Sequence, residues 1–168
     1  MLEILTVPDP VLRKKAKEVT KIDAQAKKII EEMLETLQNN PRGGIGLAAP
    51  QVGHSLRIIL VKDGRDEGST TFVLVNPEII KTSKEKESAY EGCLSIPNLY
   101  AQVERHLRLV VRAQNKNGKK VSIKASNLLA RVLEHEIDHL DGILITDKMI
   151  GPPLTQSQYD RLIDQSTT

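Results

Sequence analysis

Apolar positions recur at spacings of three and four in two long stretches of the chain, and each predicts a helix. In the first, Ala26, Ile29, Ile30, Met33, Leu34 and Leu37 form one stripe along an otherwise charged segment. Asp23 is placed to cap its start, and Asn39, Asn40 and Pro41 stop it near Gln38. The second stretch, Leu128 to Leu140, carries Leu129, Val132, Leu133, Ile137 and Leu140 at the same period. Ser126 stands at its N-cap and Gly142 at its C′ position. Its first two turns are apolar nearly all round apart from Arg131, which predicts a largely buried helix. A third helix is expected after Pro152 and Pro153, ending near Gln165. There Thr155-Gln156-Ser157-Gln158 has the form of a capping box, Leu154 and Tyr159 are spaced as a staple, and Tyr159, Leu162 and Ile163 share one side.

The remaining patterning is that of strands. Leu56 to Lys62 is an aliphatic run broken only by Arg57, which suits a mostly buried strand. Asp63-Gly64 and Glu67-Gly68 turn it into a second strand from Thr70 to Asn76, with Ile79 to Thr82 continuing a sheet. Leu107 to Gln114 and Lys119 to Lys124 flank Asn117-Gly118, a hairpin signal. In the latter strand Val121 and Ile123 alternate with polar residues, so one face meets water. Near the start, Pro8 and Pro10 force a turn, and Val11 to Lys17 reads as a short helical piece.

Composition narrows the function. A chain of 168 residues fits one catalytic domain, residues 1–168, with a real core. Its 24 basic and 22 acidic side chains leave a formal charge of +2, which gives no electrostatic argument for DNA or an anionic membrane. Aromatic content of 2% hands the core to Leu, Ile, Val and Ala and argues against a base-stacking platform. No apolar run is long enough to span a bilayer, and Met1-Leu2-Glu3-Ile4 lacks the features of a signal peptide, so a cytoplasmic location is expected. Cys93 is the single cysteine. An internal disulfide is therefore impossible, and the thiol is inert, redox-active or a metal ligand.

The candidate chemistry lies in His135-Glu136-Ile137-Asp138-His139. Helical positions four apart share a face, so His135 and His139 can offer imidazole nitrogens to one ion, and Glu136 can reach a water there without coordinating. Catalytic sites of this type keep three protein ligands and an open fourth place. Cys93, in Tyr90-Glu91-Gly92-Cys93-Leu94-Ser95-Ile96-Pro97, is the available third donor; a buried small hydrophobe is the alternative role for such a thiol. A loop of small residues, Gly43 to Gly53, reads poorly as a nucleotide cradle, since no Lys-Ser/Thr pair follows and Pro50 interrupts it. It reads better as a place where main chain or ligand comes close, with Gln51 offering an amide. His54 and His106 lie outside any ligand spacing and are expected as surface or packing residues.

Together, Gly44 to Gln51, Glu91 to Ser95 and His135 to His139 resemble the three motifs of the peptide deformylases, in that family's order and over nearly the whole chain. The resemblance implies an α+β fold with antiparallel sheets packed around a central metal-binding helix, plus an N-terminal helix and a short C-terminal helix. It implies a hydrolase that removes the N-formyl group from the N-terminal formyl-methionine of newly made polypeptides, releasing formate. Cys93, His135 and His139 would hold one divalent ion, Fe(II) by resemblance, with zinc, nickel or cobalt able to replace it. Glu136 would be general base to a metal-activated water, and Gln51 and the backbone N–H of Leu94 would stabilise the oxyanion. The peptide would add as a strand between Ile45-Gly46 and Gly92, with backbone meeting backbone across small residues. Its methionine would enter an apolar pocket bordered by Ile45, Leu128, Val132 and the His135 ring. A Glu91–Arg105 ion pair would orient the cysteine loop.

Three positions depart from the family pattern. Glu134 replaces a common Gln and would add negative charge near the site if turned inward. Tyr100 stands where some members have Arg near the peptide, which moves recognition there to stacking or apolar contact. The C-terminal helix sets Arg161 between Asp160 and Asp164, whereas ribosome docking by such tails uses basic residues, so proximity to the ribosome is expected without direct docking by this helix. Two other readings compete. A zincin-type endopeptidase usually completes its site with His or Glu rather than a thiol, and a structural metal module needs a fourth protein ligand that is not evident.

Overall fold

The computed structural model describes residues 1–66 and 68–166. Glu67, named above as part of a turn, lies outside the described residues. Among the described residues there are four α-helices: α1 (Ala24–Gln38), α2 (Asn127–Leu140), α3 (Ile145–Lys148) and α4 (Gln156–Ser166). The strands are β1 (Gly46–Ala48), β2 (Ile58–Lys62), β3 (Thr71–Thr82), β4 (Lys86–Cys93), β5 (Ile96–His106), β6 (Arg108–Gln114), β7 (Lys120–Ser126) and β8 (Leu154–Thr155). They form a five-stranded sheet in the order β1-β2-β3-β6-β7 and a three-stranded sheet in the order β4-β5-β8. Every pairing within these sheets is antiparallel.

The five-stranded sheet is covered on both faces, which explains the unbroken aliphatic run of β2. Side chains alternate across a strand, so Ile58 and Leu60 face one way and Ile59 and Val61 the other. Ile58 and Leu60 pack with the α1 stripe Ile29, Ile30, Met33 and Leu37. Ile59 and Val61 pack with Val132, Leu133 and Ile137 of α2. All four β2 residues are fully buried, and burying side chains of this size is worth roughly 1.5–3 kcal/mol each. A third cluster joins Ala101 and Val103 of β5 to Leu144 and Ile145. Helix α2 thus lies in contact with both sheets, against β1, β2, β6 and β7 on one side and β5 on the other.

Local signals from the sequence are realised with some changes. Asp23 caps α1 by accepting from the Ala26 N–H at 2.9 Å. Ser126 is the N-cap residue of α2, but its hydroxyl makes no capping hydrogen bond, because β7 runs directly into the helix through Asn127 at φ +52°. Gly142 follows the C-cap at φ +71°, and a Cβ there would lie 2.5 Å from the carbonyl oxygen of Arg13. The expected helical piece from Val11 to Lys17 shrinks to one 3-10 turn, Pro10–Arg13. Beyond it the chain is extended because Lys17 donates to the Ser55 carbonyl and accepts from the Arg57 N–H, forming a bridge beside Leu56. The β6–β7 hairpin turns over residues 115–118, with the Asn115 side chain accepting from Asn117 and Lys119 and Gly118 at φ +79°. At the C-terminus the capping box forms: Thr155 N–H donates to Gln158 Oε1, and Gln158 N–H to Thr155 Oγ1.

The long β4–β5 hairpin carries no strong period-two apolar pattern, and it holds the cysteine. Its register places Gly92 opposite Tyr100 and Glu91 opposite Ala101, with an irregularity between Gly92 and Cys93.

Candidate metal centre

The helical repeat of α2 puts His135 and His139 on one face, their ring centroids 5.0 Å apart and inclined at 67°. Cys93, at the end of β4, brings its Sγ to 3.3 Å from His139 Nε2. One ligating atom from each of Cys93, His135 and His139 lies within 4.8 Å of the others. The donor set of one thiol and two imidazoles is that of a transition-metal site with room for a fourth ligand.

Electrostatics favour a cation here. His135 Nδ1 is 2.9 Å from Glu91 Oε2, which leaves Nε2 facing the cluster. Burial opposes charge on His135, yet its hydrogen bonds with Cys93 and Glu91 raise its pKa well above the ordinary value. Burial pushes the His139 pKa well down, which keeps that imidazole neutral and able to ligate. Two buried polar atoms have no hydrogen-bond partner among the described residues, Glu136 Oε2 and His139 Nδ1. Buried polar atoms are ordinarily paired, so an unpartnered carboxylate oxygen beside three metal-type donors is the mark of a site built to hold more than the protein itself.

Glu136 follows His135 on α2, and burial pushes its pKa up to about 7, against the pull of His135. Its carboxylate rests over Gly46: a Cβ on that glycine would fall 2.3 Å from Oε1 and 2.8 Å from both Cδ and Cγ. Gln51 is buried, its orientation fixed from both ends. Oε1 accepts from the Ala48 N–H at 2.8 Å, and Nε2 donates to Ser95 Oγ at 3.2 Å and reaches to 3.8 Å from Cys93 Sγ. One amide hydrogen therefore goes to Ser95 and the other turns toward the thiol. The loops bearing Gln51 and Ser95 are tied to the N-terminal segment, where Leu5 and Val7 donate to the carbonyls of Gln51 and Ser95.

A cavity of about 700 Å³ opens onto this cluster. Ile45, Gly46, Gly92, Leu94, Leu128 and Val132, the remaining residues expected at the site, line it beside Gln51, Cys93, His135 and Glu136. Two of the glycines at its rim also make room for neighbouring side chains. Gly46 leaves space for Glu136, and Gly92 leaves space for Tyr100, whose ring would stand 3.0 Å from a Cβ there.

Arg105 and Glu91 lie behind the ligands, both nearly inaccessible. Arg105 Nε and Nη2 donate to the two Glu91 oxygens at 2.9 and 3.0 Å. Burial alone would raise the Glu91 pKa, but the hydrogen bonds from His135 and Arg105 outweigh it and hold the carboxyl at about 2. Two partners were not foreseen. Asp138 accepts from Arg105 Nη1 and from Lys148. Arg131 donates to Glu91 Oε1 at 2.9 Å and to the Val103 and Glu87 carbonyls. The signal for Arg131 was present, since a lone cation in the apolar turns of a buried helix requires an acid to meet it. Ser95, fully buried beneath Gln51, carried no such signal.

The three departures resolve as follows. Glu134 bonds His106 Nδ1 and stands 3.9 Å from Arg105 Nη1, so it joins the ionic layer behind the ligands and gives His106 a partner. Tyr100 stacks on Tyr159 of α4, and its hydroxyl donates to Gln156 Oε1 at 2.8 Å. In α4 no residue is buried.

Comparison with known proteins agrees with this geometry. Residues 1–153 match the family model described as polypeptide deformylase. A peptide deformylase of Dictyoglomus thermophilum is 49% identical over 152 residues, covering 90% of this chain and 95% of that protein. Peptide deformylase 1 of Vibrio vulnificus is 48% identical over 158 residues, covering 93% of this chain and 89% of that one. Among solved structures, the peptide deformylase of Thermotoga maritima superposes with a TM-score of 0.82 at 44% identity, covering 90% of this chain and 99% of that chain. The enzyme of Synechococcus elongatus, solved in complex with actinonin, gives 0.82 at 37% identity, covering 98% and 85%.

Proposed function

The chain belongs to the polypeptide deformylase family, and from that premise we propose how its own residues remove the N-formyl group from a formyl-methionyl peptide. Cys93, His135 and His139 hold one divalent ion, and their convergence within 4.8 Å, next to the unpartnered Glu136 carboxylate, is the observation that carries this reading. When bound, the ion supplies Lewis acidity, bringing the pKa of water toward neutrality.

Glu136 takes a proton from the attacking water. Burial raises the pKa of this carboxylate to about 7 before an ion is bound, and a group poised near the working pH both accepts and returns a proton readily. The water oxygen then bonds to the formyl carbon, and the carbonyl electrons move onto the formyl oxygen. Gln51 Nε2, fixed by Ala48 and Ser95, and the Leu94 N–H donate to that oxyanion; a preorganised donor of this kind is worth about 3–4 kcal/mol. As the C–N bond breaks, Glu136 delivers its proton to the departing methionine amine, and formate leaves.

The peptide lies in the groove between β1 and β4, which are edge strands of their sheets. Its backbone meets Ile45-Gly46 on one side and Gly92 on the other. Its thioether side chain enters the apolar wall of Ile45, Leu128 and Val132, where a flexible chain fills irregular space. Glu91, held by Arg105 and Arg131, fixes the His135 ring through Nδ1.

Fe(II) is the resident ion in this reading, with zinc, nickel or cobalt accepted by the same donors. The substrates are nascent chains, which places the activity in the cytoplasm near the ribosome. In α4, Asp160 and Asp164 flank Arg161, which supports no direct contact of this helix with ribosomal RNA.

The decisive experiment measures formate release from formyl-Met-Ala-Ser by anaerobically purified protein of known metal content. Formate with no cleavage of an unformylated peptide is the expected result; endopeptidase cleavage overturns it. Glu136→Ala retains the metal and loses nearly all turnover, and surviving turnover would remove Glu136 from the role of base.

A further inference from the structure

The chain contains three tyrosines and no tryptophan. All three line the cavity that opens onto the metal ligands. Tyr100 and Tyr159 stack face to face, with ring centroids 4.0 Å apart and planes 3° from parallel. Tyr90 meets the edge of Tyr159 at 6.3 Å. In a protein with aromatic content of 2%, such convergence at one groove is not needed for the core, which is aliphatic.

These rings come from three elements. Tyr90 is on β4, two residues before Gly92; Tyr100 lies opposite Gly92 on β5; Tyr159 is on α4. The ring of Tyr100 sits between the Gly92 backbone and Tyr159, in space that a Cβ on Gly92 would take. Helix α4 buries no residue, yet Gln156 and Tyr159 both line the groove, and Gln156 accepts from the Tyr100 hydroxyl. The helix is thus held less by a core of its own than by its contacts at the mouth of the site.

We propose that α4 is a wall of the substrate groove and that Tyr159, stacked on Tyr100, determines specificity for the residues after the formyl-methionine, favouring aromatic or large apolar side chains. This rests on the peptide running past Gly92, as described under Proposed function. An extended chain advances ~3.3 Å per residue, so a peptide paired near Gly92 comes against this shelf within its next few residues. The three tyrosine rings are half-buried, leaving surface on which an incoming side chain packs.

The test compares kcat/KM for formyl-Met-Ala-Phe and formyl-Met-Ala-Ser with the metal-loaded enzyme. Aromatic contacts of this kind favour the Phe peptide by about fivefold in the wild type, through KM. In Tyr159→Ala the ratio falls to near one, and in Tyr159→Phe it is kept, because the stack needs the ring and not the hydroxyl. The ratio is read within each variant, so a general loss of activity cancels. A second measurement needs no variant. The protein's ultraviolet emission comes from these three tyrosines, so the product Met-Ala-Phe changes it more than Met-Ala-Ser does. Equal rates for the two peptides in the wild type, a ratio that survives Tyr159→Ala, or equal emission changes would each overturn the proposal. Absence of formate from both peptides would instead strike at the deformylase reading itself.

Discussion

Glu136 and Gly46 fit only as a pair: the carboxylate occupies the place where any side chain on residue 46 would begin. A Cβ would stand 2.3 Å from Oε1 and 2.8 Å from Cγ, distances that non-bonded atoms do not adopt. Both residues are buried, and the space open to the displaced acid is the cavity it lines. Gly46→Ala is therefore expected to displace Glu136 and leave the rest of the fold standing. Deformylation falls by ~100-fold in kcat, the scale of lost proton transfer, while thermal unfolding shows a loss of about 1–3 kcal/mol, as for other overpacked sites. Steady-state kinetics and a melting curve on the same sample check both numbers.

Metal removal is expected to lower stability as well as abolish activity. A ligand at a hundredfold its Kd adds about 2.7 kcal/mol, which for a chain of this size raises Tm by about 5–10 °C. Titrating chelator-stripped protein with a divalent ion should show that rise by calorimetry. Cys93→Ala should show none, since it removes a ligand without creating a large cavity.

The buried ion pairs behind the ligands make stability depend on acid. Glu91 has its pKa lowered to about 2 in the folded chain from 4.5, so its contribution is complete above about 4.5 and disappears as pH falls toward 2. The shift corresponds to about 3 kcal/mol as an order of magnitude. Urea unfolding of metal-free protein at a series of pH values should show wild type more stable than Glu91→Gln near neutrality, with the gap closing between pH 4.5 and 2. A gap that stays constant would mean the carboxylate charge is not what Arg105, Arg131 and His135 hold.

Arg105→Lys keeps the charge and loses the fork. A single ammonium cannot reach both Glu91 oxygens and Asp138 in the geometry of a guanidinium. Metal affinity should drop by about 10–100-fold, as when support behind a ligand is lost, measured by competition with a coloured chelator.

Much of this arrangement was readable from residues alone. The 3.6-residue period gave α1 and α2, the aliphatic run gave β2, and the His135/His139 spacing with the lone thiol gave the Cys93/His135/His139 cluster. What escaped was the β4–β5 hairpin, and its inner face explains why. The buried positions there include Glu91 and Arg105 beside Ala101 and Val103, so the sheet is closed partly by ion pairs. An alternating apolar pattern cannot mark a strand whose inward side chains are charged. Arg131 and Asp138 were visible as charges but not as partners, because pairing depends on which strand lies against the helix. Tyr159 was read as a packing residue of a terminal helix; its place in the groove depends on β8 pairing with β5, a two-residue contact with no sequence signature.

The thiol comes from a hairpin in one sheet, the imidazoles from the helix that joins that sheet to the other. While the chain is being synthesised, Cys93 leaves the ribosome well before His135 and His139. A chain that stops before α2 therefore has the thiol but neither imidazole nor the Glu136 carboxylate. The three donors meet only where α2 is packed against both sheets.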